Sequence, residues 1–431
     1  MVRITATALL SAALALVVTT ASQAQAVWRS GRSFHVEACA GPAVAGTARC
    51  HAHVVTDNKG RFLQMLPRFR GARPSATAAV SGGPYWASQL RAAYGITGTG
   101  SPSTVVAIVD AYAYPNAAAD LATYRANTAN NGIAMPAMVA CTSFPSAKPC
   151  LRIVNENGGT SLPRFSNAGW DEEQALDLDM VSAMCPNCSI LLVQANSANL
   201  TDLGIAENTA AALGAVSIGN SYGGSEGGTT SYNAYYTHAG VNITASAGDS
   251  GYGVSFPASS PNVIAVGGTS LVYGSGPRTE LVWSGSGSGC SSVYAKPSWQ
   301  SSSNSNMADN TVCTKRIMND VAAVADPDTG VVVYMNIRPY SPGYYIFGGT
   351  SASAQIISGI YGEKARAAPA TGTAPFVYST AFPYGASGVP ASLTDVSSGK
   401  DGSCATAYFC TGETGYDGPT GLGTPVGDTA F

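Results

Sequence analysis

Charge is in short supply in this chain. Its 431 residues include 22 Lys and Arg against 25 Asp and Glu, so that 11% are charged and the formal net charge is −3. An average domain is ~25% charged, and so weak a field excludes a nucleic-acid-binding face. Histidine is scarcer still, with only His35, His51, His53 and His238. Past the N-terminus there is no second apolar stretch of the ~18 residues that a membrane helix needs, and no repeat at a fixed period. With 45% apolar residues the chain is nevertheless globular and not disordered.

What is present begins with an N-terminal signal. Arg3 precedes a mostly apolar run over residues 8–18, and Ala24-Gln25-Ala26 closes it. This pattern assigns residues 1–26 to a secretory signal peptide, and the mature protein is expected to be soluble and extracellular. Ten cysteines fall into sequence-near pairs: Cys39/Cys50, Cys141/Cys150, Cys185/Cys188, Cys290/Cys313 and Cys404/Cys410. Five disulfides closing short loops suit that compartment. The rival reading of Cys185-Pro-Asn-Cys188 as a zinc or redox half-site lacks a second CxxC and a histidine nearby in sequence.

The charges are also unevenly spread. Residues 27–73 carry eight basic residues against Glu37 and Asp57, whereas the chain after them has thirteen basic and twenty-three acidic residues. Residues 27–83 thus form a basic N-terminal segment before an acidic body, residues 84–431. The segment reads either as a short propeptide, docked by charge and released near Arg70 or Arg73, or as a solvated arm.

In the body the pattern is α/β. The run Val-Val-Ala-Ile-Val at 105–109 predicts a strand, followed by a helix reaching Ala126. The same alternation recurs with strands at 190–193, 215–218, 242–245 and 263–266 and a helix over 201–213. It predicts a parallel sheet covered on both faces. Residues 285–310 read as a long loop.

Three segments carry candidate chemistry. If residues 171–185 are helical, Leu176, Met180, Val181 and Met184 form one stripe with Glu173 and Asp177 in its middle, and Asp171, Glu172 and Asp179 point to solvent. Two carboxylates on a buried face raise each other's pKa, as an acid-base pair requires; the plain alternative is an acidic helix in another register. Phe347-Gly348-Gly349-Thr350-Ser351 precedes a helical stretch, and a serine at a helix N-terminus sits where amides stabilise negative charge. Gly268-Thr269-Ser270 repeats that tripeptide without such a context. Ser246-Ala-Gly-Asp249-Ser-Gly follows a strand, on the edge where parallel sheets place ligands, although an Asp there also makes ordinary turns. With three histidines in the basic segment and His238 in no catalytic context, a Ser-His-Asp triad is poorly provided for. Glu173 backed by Asp177 is the available base for Ser351.

Together, Trp170-x-x-Glu173-x-x-x-Asp177, Ser246-Ala-Gly-Asp249-Ser-Gly, the stretch from Phe256-Pro-Ala to Val-Gly-Gly-Thr269 and Gly348-Gly-Thr-Ser351-Ala-Ser-Ala resemble the sedolisins, the serine-carboxyl peptidases. The resemblance covers residues 84–431. It implies an α/β, subtilisin-like fold with a seven-stranded parallel sheet and helices on both faces. It also implies Ser351 as nucleophile, Glu173 as general base, Asp177 as the carboxylate orienting it, and Asp249 as the oxyanion-hole residue. An aspartate donates to an oxyanion only when protonated, so Asp249 needs a raised pKa or an acidic medium, and activity is expected at acid pH. The resemblance further implies a calcium (Ca2+) site at Asp395 and Asp417 and the carbonyls of Val396, Glu413 and Gly415, oxygen donors of the kind calcium takes.

Three positions depart from the family pattern: Gln355 stands where a proline is usual, Asn319-Asp320 replaces Pro-Asp, and the stretch before the body is short. The expectation is a secreted, monomeric, calcium-bound endopeptidase acting on proteins or peptides, with no nucleic-acid partner and no membrane partner after signal removal. A noncatalytic sedolisin-like binding protein is one rival. A glycosidase is another, although carboxylates one helical turn apart fit that reaction poorly.

Overall fold

Unbroken runs of β-branched and other apolar residues form the strands at the centre of the molecule, as strands covered on both faces require. In this computed structural model, residues 25–65, 82–274, 276–300, 312–368, 375–378 and 389–431 are described. The chain opens with β1 (Trp28–Ser30), β2 (Ser33–Glu37), β3 (Arg49–Cys50) and β4 (His53–Thr56). Helix α1 (Ala87–Tyr94) leads into β5 (Val105–Ala111), α2 (Ala117–Ala126), α3 (Thr128–Asn131), β6 (Val139–Ala140) and β7 (Cys150–Asn155). There follow α4 (Ala168–Met184), β8 (Ser189–Ala195), α5 (Leu200–Ala212), β9 (Ser217–Asn220), β10 (Tyr222–Gly223), β11 (Asn242–Ser246) and β12 (Ile264–Val272). The last part holds β13 (Thr279–Val282), β14 (Gly289–Ala295), β15 (Lys315–Met318), β16 (Val321–Val324), β17 (Val331–Met335), β18 (Gly343–Gly348), α6 (Thr350–Lys364), β19 (Leu393–Thr394) and β20 (Thr424–Pro425).

The main sheet has the order β13-β12-β11-β9-β5-β8-β7-β6, with β16 also paired to β12. All its pairings are parallel except β12 with β13. Seven of the parallel strands, β5, β7, β8, β9, β11, β12 and β16, have four or more residues, and the two-residue β6 and antiparallel β13 extend them. Helices lie on both faces, as the alternation along β9 makes plain. Ser217 bonds Ser358 of α6 at 2.9 Å, and a Cβ at Gly219 would strike the Gln355 side chain, whereas Asn220 points the other way, toward Glu207 of α5.

A second, antiparallel sheet, β1-β2-β4-β18-β17, joins the first residues of the chain to the strand that leads into α6. Val36 and Val54 are buried in it, so the solvated-arm reading does not hold for residues 28–56. Their basic residues had suggested an arm, but Val36 pairs with Val54, which in turn pairs with Phe347 of β18. Residues 1–24, the stretch containing Arg68, Arg70 and Arg73, and residues 301–311 lie outside the described residues.

Two further expectations are corrected. Helix α4 has no solvent side: Asp171, Glu172 and Asp179 are buried along with Glu173 and Asp177. The helix is enclosed by α1, α2, α6, β3, β5, β8 and β17, and its outward carboxylates are taken up locally. Asp179 accepts from Tyr334 N at 2.9 Å and Asp171 from Ser166 Oγ at 2.6 Å. The stretch read as a loop over 285–310 contains β14, paired antiparallel with β15. All five expected cysteine pairs are disulfide-bonded, with Cα–Cα distances between 5.3 and 6.1 Å.

Candidate active site

The tight turn from β18 into α6 sets the site. Gly349 adopts φ 95°, which side chains rarely tolerate, and delivers Thr350 and Ser351 to the first turn of α6. There Thr350 donates to Asp249 Oδ1 twice, from its amide at 2.8 Å and its hydroxyl at 2.6 Å. Asp249 comes from the loop just after β11, at the carboxyl edge of the sheet, and its charge meets the positive end of α6. Across from Ser351 lies α4, whose first amides are capped by Asn167 Oδ1.

Ser351, Glu173 and Asp177 are wholly shielded from solvent. The Ser351 hydroxyl donates to the Ser221 carbonyl oxygen at 3.3 Å, and the Glu173 carboxyl lies near that hydroxyl with its Oε1 buried and free of any hydrogen bond. Glu173 in turn lies beside Asp177, one helical turn on. Asp177 is held on both oxygens, Oδ1 by Ser221 Oγ at 2.8 Å and Oδ2 by Gln355 Nε2 at 2.6 Å. Thus the four residues proposed from sequence come together. The decoy Gly268-Thr269-Ser270 lies in β12, where Ser270 merely bonds Asp326 at 2.5 Å.

Burial drives the electrostatics. It pushes the Glu173 carboxyl well above the carboxylate range, helped by the charge of Asp177, and it lifts Asp177 likewise, helped by Asp110. Asp110, at the end of β5, is a third buried carboxyl; neither of its oxygens has a hydrogen-bond partner, and burial and Glu173 raise its pKa as well. Asp249 behaves oppositely. Burial would raise it, but the His53 and His51 rings and Thr350 outweigh that and hold it below its ordinary value.

Sequence reasoning missed the immediate neighbours. Asp110 and Ser221 carried no motif, and Gln355 stood out only as a departure. The three histidines set aside with the basic segment are all here. His53 Nε2 lies 3.3 Å from Asp249 Oδ2, its Nδ1 is 2.8 Å from His35 Nδ1, and His51 Nδ1 is 2.7 Å from Ser246 Oγ. The Ala52 amide between them donates to Glu173 Oε2 at 2.8 Å. None of the hydrogen bonds found among the described residues joins a histidine to Ser351.

The model of the subtilase family matches residues 156–374, just over half of the chain, and kumamolisin of Bacillus sp. (strain MN-32) is 30% identical over 319 residues. The chain belongs to the sedolisin family of subtilases. Sedolisin of Pseudomonas sp. (strain 101) is 34% identical over 185 residues, covering 40% of this chain and 29% of that relative. The kumamolisin match covers 66% of this chain and 54% of kumamolisin, so the chain matches about half the length of that relative. A solved structure of Pseudomonas sedolisin, a serine-carboxyl proteinase complexed with two molecules of pseudo-iodotyrostatin, has a TM-score of 0.62 at 24% identity. It covers 81% of this chain and 97% of its own, and the two share the fold.

In this sedolisin-family chain the C-terminal segment brings Asp395 and Asp417 close enough for the charge of one to raise the pKa of the other. Asp417 accepts from Glu413 N and from Thr420 N and Oγ1, all at 2.9 Å, and Asp395 Oδ2 accepts from Gly415 N at 3.1 Å. Asp395 Oδ1 is buried without a partner. An orphaned carboxylate oxygen beside a second carboxylate and backbone carbonyls fits an oxygen-seeking cation. No cluster of three or more His, Cys, Asp or Glu suited to a metal occurs among the described residues, and no helix there is long and apolar enough to cross a membrane.

Proposed function

We propose that this protein is a secreted serine-carboxyl endopeptidase that hydrolyses peptide bonds at acidic pH through an acyl-enzyme on Ser351. One observation carries the reading: Glu173 is wholly buried beside Ser351 and Asp177, with its Oε1 unpartnered while its Oε2 accepts a peptide N–H. A group so placed takes the serine proton and returns it to a leaving amine. Two buried carboxyls in contact share one proton, which leaves a basic oxygen on the pair even in acid. Asp110 deepens that sharing, and Gln355 and Ser221 fix Asp177. Gln355 therefore joins the network as a donor, which speaks against the noncatalytic reading. Asp249, once protonated, and the Ser351 amide bind the oxyanion.

Asp395 and Asp417, with the carbonyls of Val396, Glu413 and Gly415, would hold calcium, whose charge offsets that of the two carboxylates; no catalytic step involves it. The test is hydrolysis of denatured protein between about pH 3 and 8 by wild type, Ser351→Ala and Glu173→Gln. An acid-side optimum in the wild type, lowered at least about a hundredfold in both variants, is expected. Retention of wild-type turnover by Ser351→Ala sinks the reading.

A further inference from the structure

Asp171 precedes Glu173 by two residues in α4, and at ~100° per residue its side chain leaves the opposite flank of the helix. On that flank a cavity of about 560 Å³ opens between the turn after β5, the start of α4 and the turn after β17. Because two of these walls follow the parallel strands β5 and β7, the cavity lies at the carboxyl edge of the main sheet, where such sheets place ligands. Its walls are tied to one another. The Tyr114 hydroxyl and the Asn336 amide both donate to Asp120 Oδ2, the second at 2.7 Å, and Asn116 Nδ2 donates to the Asn336 carbonyl at 2.5 Å. The frame is therefore set before anything enters it. Asp171 borders this space with only 6% of its surface exposed; its Oδ2 accepts from Ser166 Oγ at 2.6 Å, and its Oδ1 is buried without a partner. Arg338 lines the same cavity, exposed, and makes no ion pair with Asp171 or with any other acid among the described residues.

A buried carboxylate with an unused acceptor gains most from a cation, and a guanidinium without a partner from an anion. Two opposite poles on one cavity that do not pair with each other are the complement of a ligand carrying both charges. We infer that this cavity is a binding site for short peptides with free amino and carboxyl ends, the ammonium meeting Asp171 and the carboxylate meeting the Arg338 guanidinium. Size sets the length: 560 Å³ equals a sphere about 10 Å across, and an extended chain advances roughly 3.3–3.6 Å per residue, so two or three residues fit. Pro115 and Ile337 in the lining suit small apolar side chains. An internal stretch of polypeptide brings neither end, so the site passes over intact substrates and takes what their hydrolysis leaves. That source of ligand, though not the site itself, rests on the peptidase reading above. Burial raises Asp171 to about 6 against the Ser166 hydrogen bond, so its carboxyl is ionised at neutral pH and neutral in acid. The other charged groups around it are Glu172 on α4, Asp120 behind Tyr114 on α2, and Arg338.

The experiment uses the full-length Ser351→Ala chain near neutral pH, where residues 49–54 fill the catalytic cleft by pairing with β10 and β18 and leave a peptide only other sites to enter. Trialanine is titrated calorimetrically beside N-acetyl-trialanine, trialanine amide and N-acetyl-lysine amide. Trialanine should bind with a Kd below about 1 mM, each singly blocked form at least about tenfold more weakly, and the lysine derivative not at all. Acidifying to about pH 4.5 should weaken trialanine at least about tenfold, as Asp171 takes up its proton. Asp171→Asn should cancel the preference for a free amine, and Arg338→Gln the preference for a free carboxylate; Arg338 is exposed, so its variant tests the site even where Asp171→Asn fails to fold. If trialanine does not bind, if the blocked forms bind as well, or if Arg338→Gln leaves every preference unchanged, the site falls, and hydrolysis of denatured protein by wild type keeps the peptidase reading. Binding of the lysine derivative alone reduces the cavity to a cation subsite and overturns the assignment too. If trialanine binds as expected while wild type hydrolyses nothing, the site stands and the peptidase reading falls.

Discussion

At the scale of single residues, Gln355 decides how the carboxylate pair is held. Its amide donates to Asp177 Oδ2 at 2.6 Å and to Ser221 Oγ at 2.9 Å, and Gly219 leaves the room for it. Gln355→Leu keeps the volume but strips a buried carboxyl of a donor, a loss of roughly 1–3 kcal/mol. Chemical denaturation should register that loss in the midpoint, and the pH profile of peptide hydrolysis should shift as the Asp177 proton becomes harder to remove. An unchanged profile would reduce Gln355 to packing. From sequence this residue was visible only as the absence of a proline, because nothing local says which way a helical amide points. Glu173, Asp177, Asp249 and Ser351 were readable because each sits in a patterned segment. Asp110 was not, because a strand-terminal Asp is common and its burial among other acids depends on α4 arriving from elsewhere.

Among elements, strands with long apolar runs were the readable part, and β5, β8 and β11 lie within two residues of where the pattern put them. Helix α4 was half readable: its periodicity turned Glu173 and Asp177 inward, but one helix's pattern cannot reveal cover on its other side. The short N-terminal strands were unreadable for a different reason. Strand β4 has four residues, and its partner β18 lies almost 300 positions away. The C-terminal segment offers an element-scale test, since β19 and β20 pair on either side of Asp417. If calcium sits there, a chelator should lower the melting temperature by several degrees, calcium should restore it, and Asp395→Asn should abolish the difference. A site held at about a hundredfold over its Kd contributes about 2.7 kcal/mol. A melting curve indifferent to chelator removes calcium from the account.

Across the whole molecule, acid acts in opposite senses on the body and on the N-terminal segment. Asp110, Glu173 and Asp177 are raised by burial, so the folded body takes up protons before the unfolded chain does. Their contribution is complete below the ordinary values of 3.8 and 4.5 and is lost as pH rises through the folded values. The docked segment shows the reverse. Burial lowers His35 to about 3, aided by His53 and opposed by Asp249, and lowers His51 to about 4, aided by Arg49 and His53 against Asp249. A released segment binds these protons from the ordinary 6.5 downward, so docking is complete above 6.5 and weakens as pH falls toward 3, by on the order of a few kcal/mol. Asp249, held below 3.8, adds the same sign at the acid end. The acidity that protonates Asp249 therefore also loosens the docked segment. In Ser351→Ala, hydrogen exchange over residues 33–56, corrected for intrinsic rates, should quicken at least about tenfold from pH 7 to pH 4. Exchange in α4 and β5 should slow over the same interval. Equal protection of the segment at both pH values would show that its histidines do not govern docking, since proton linkage permits no other outcome once their pKa values differ between docked and free states.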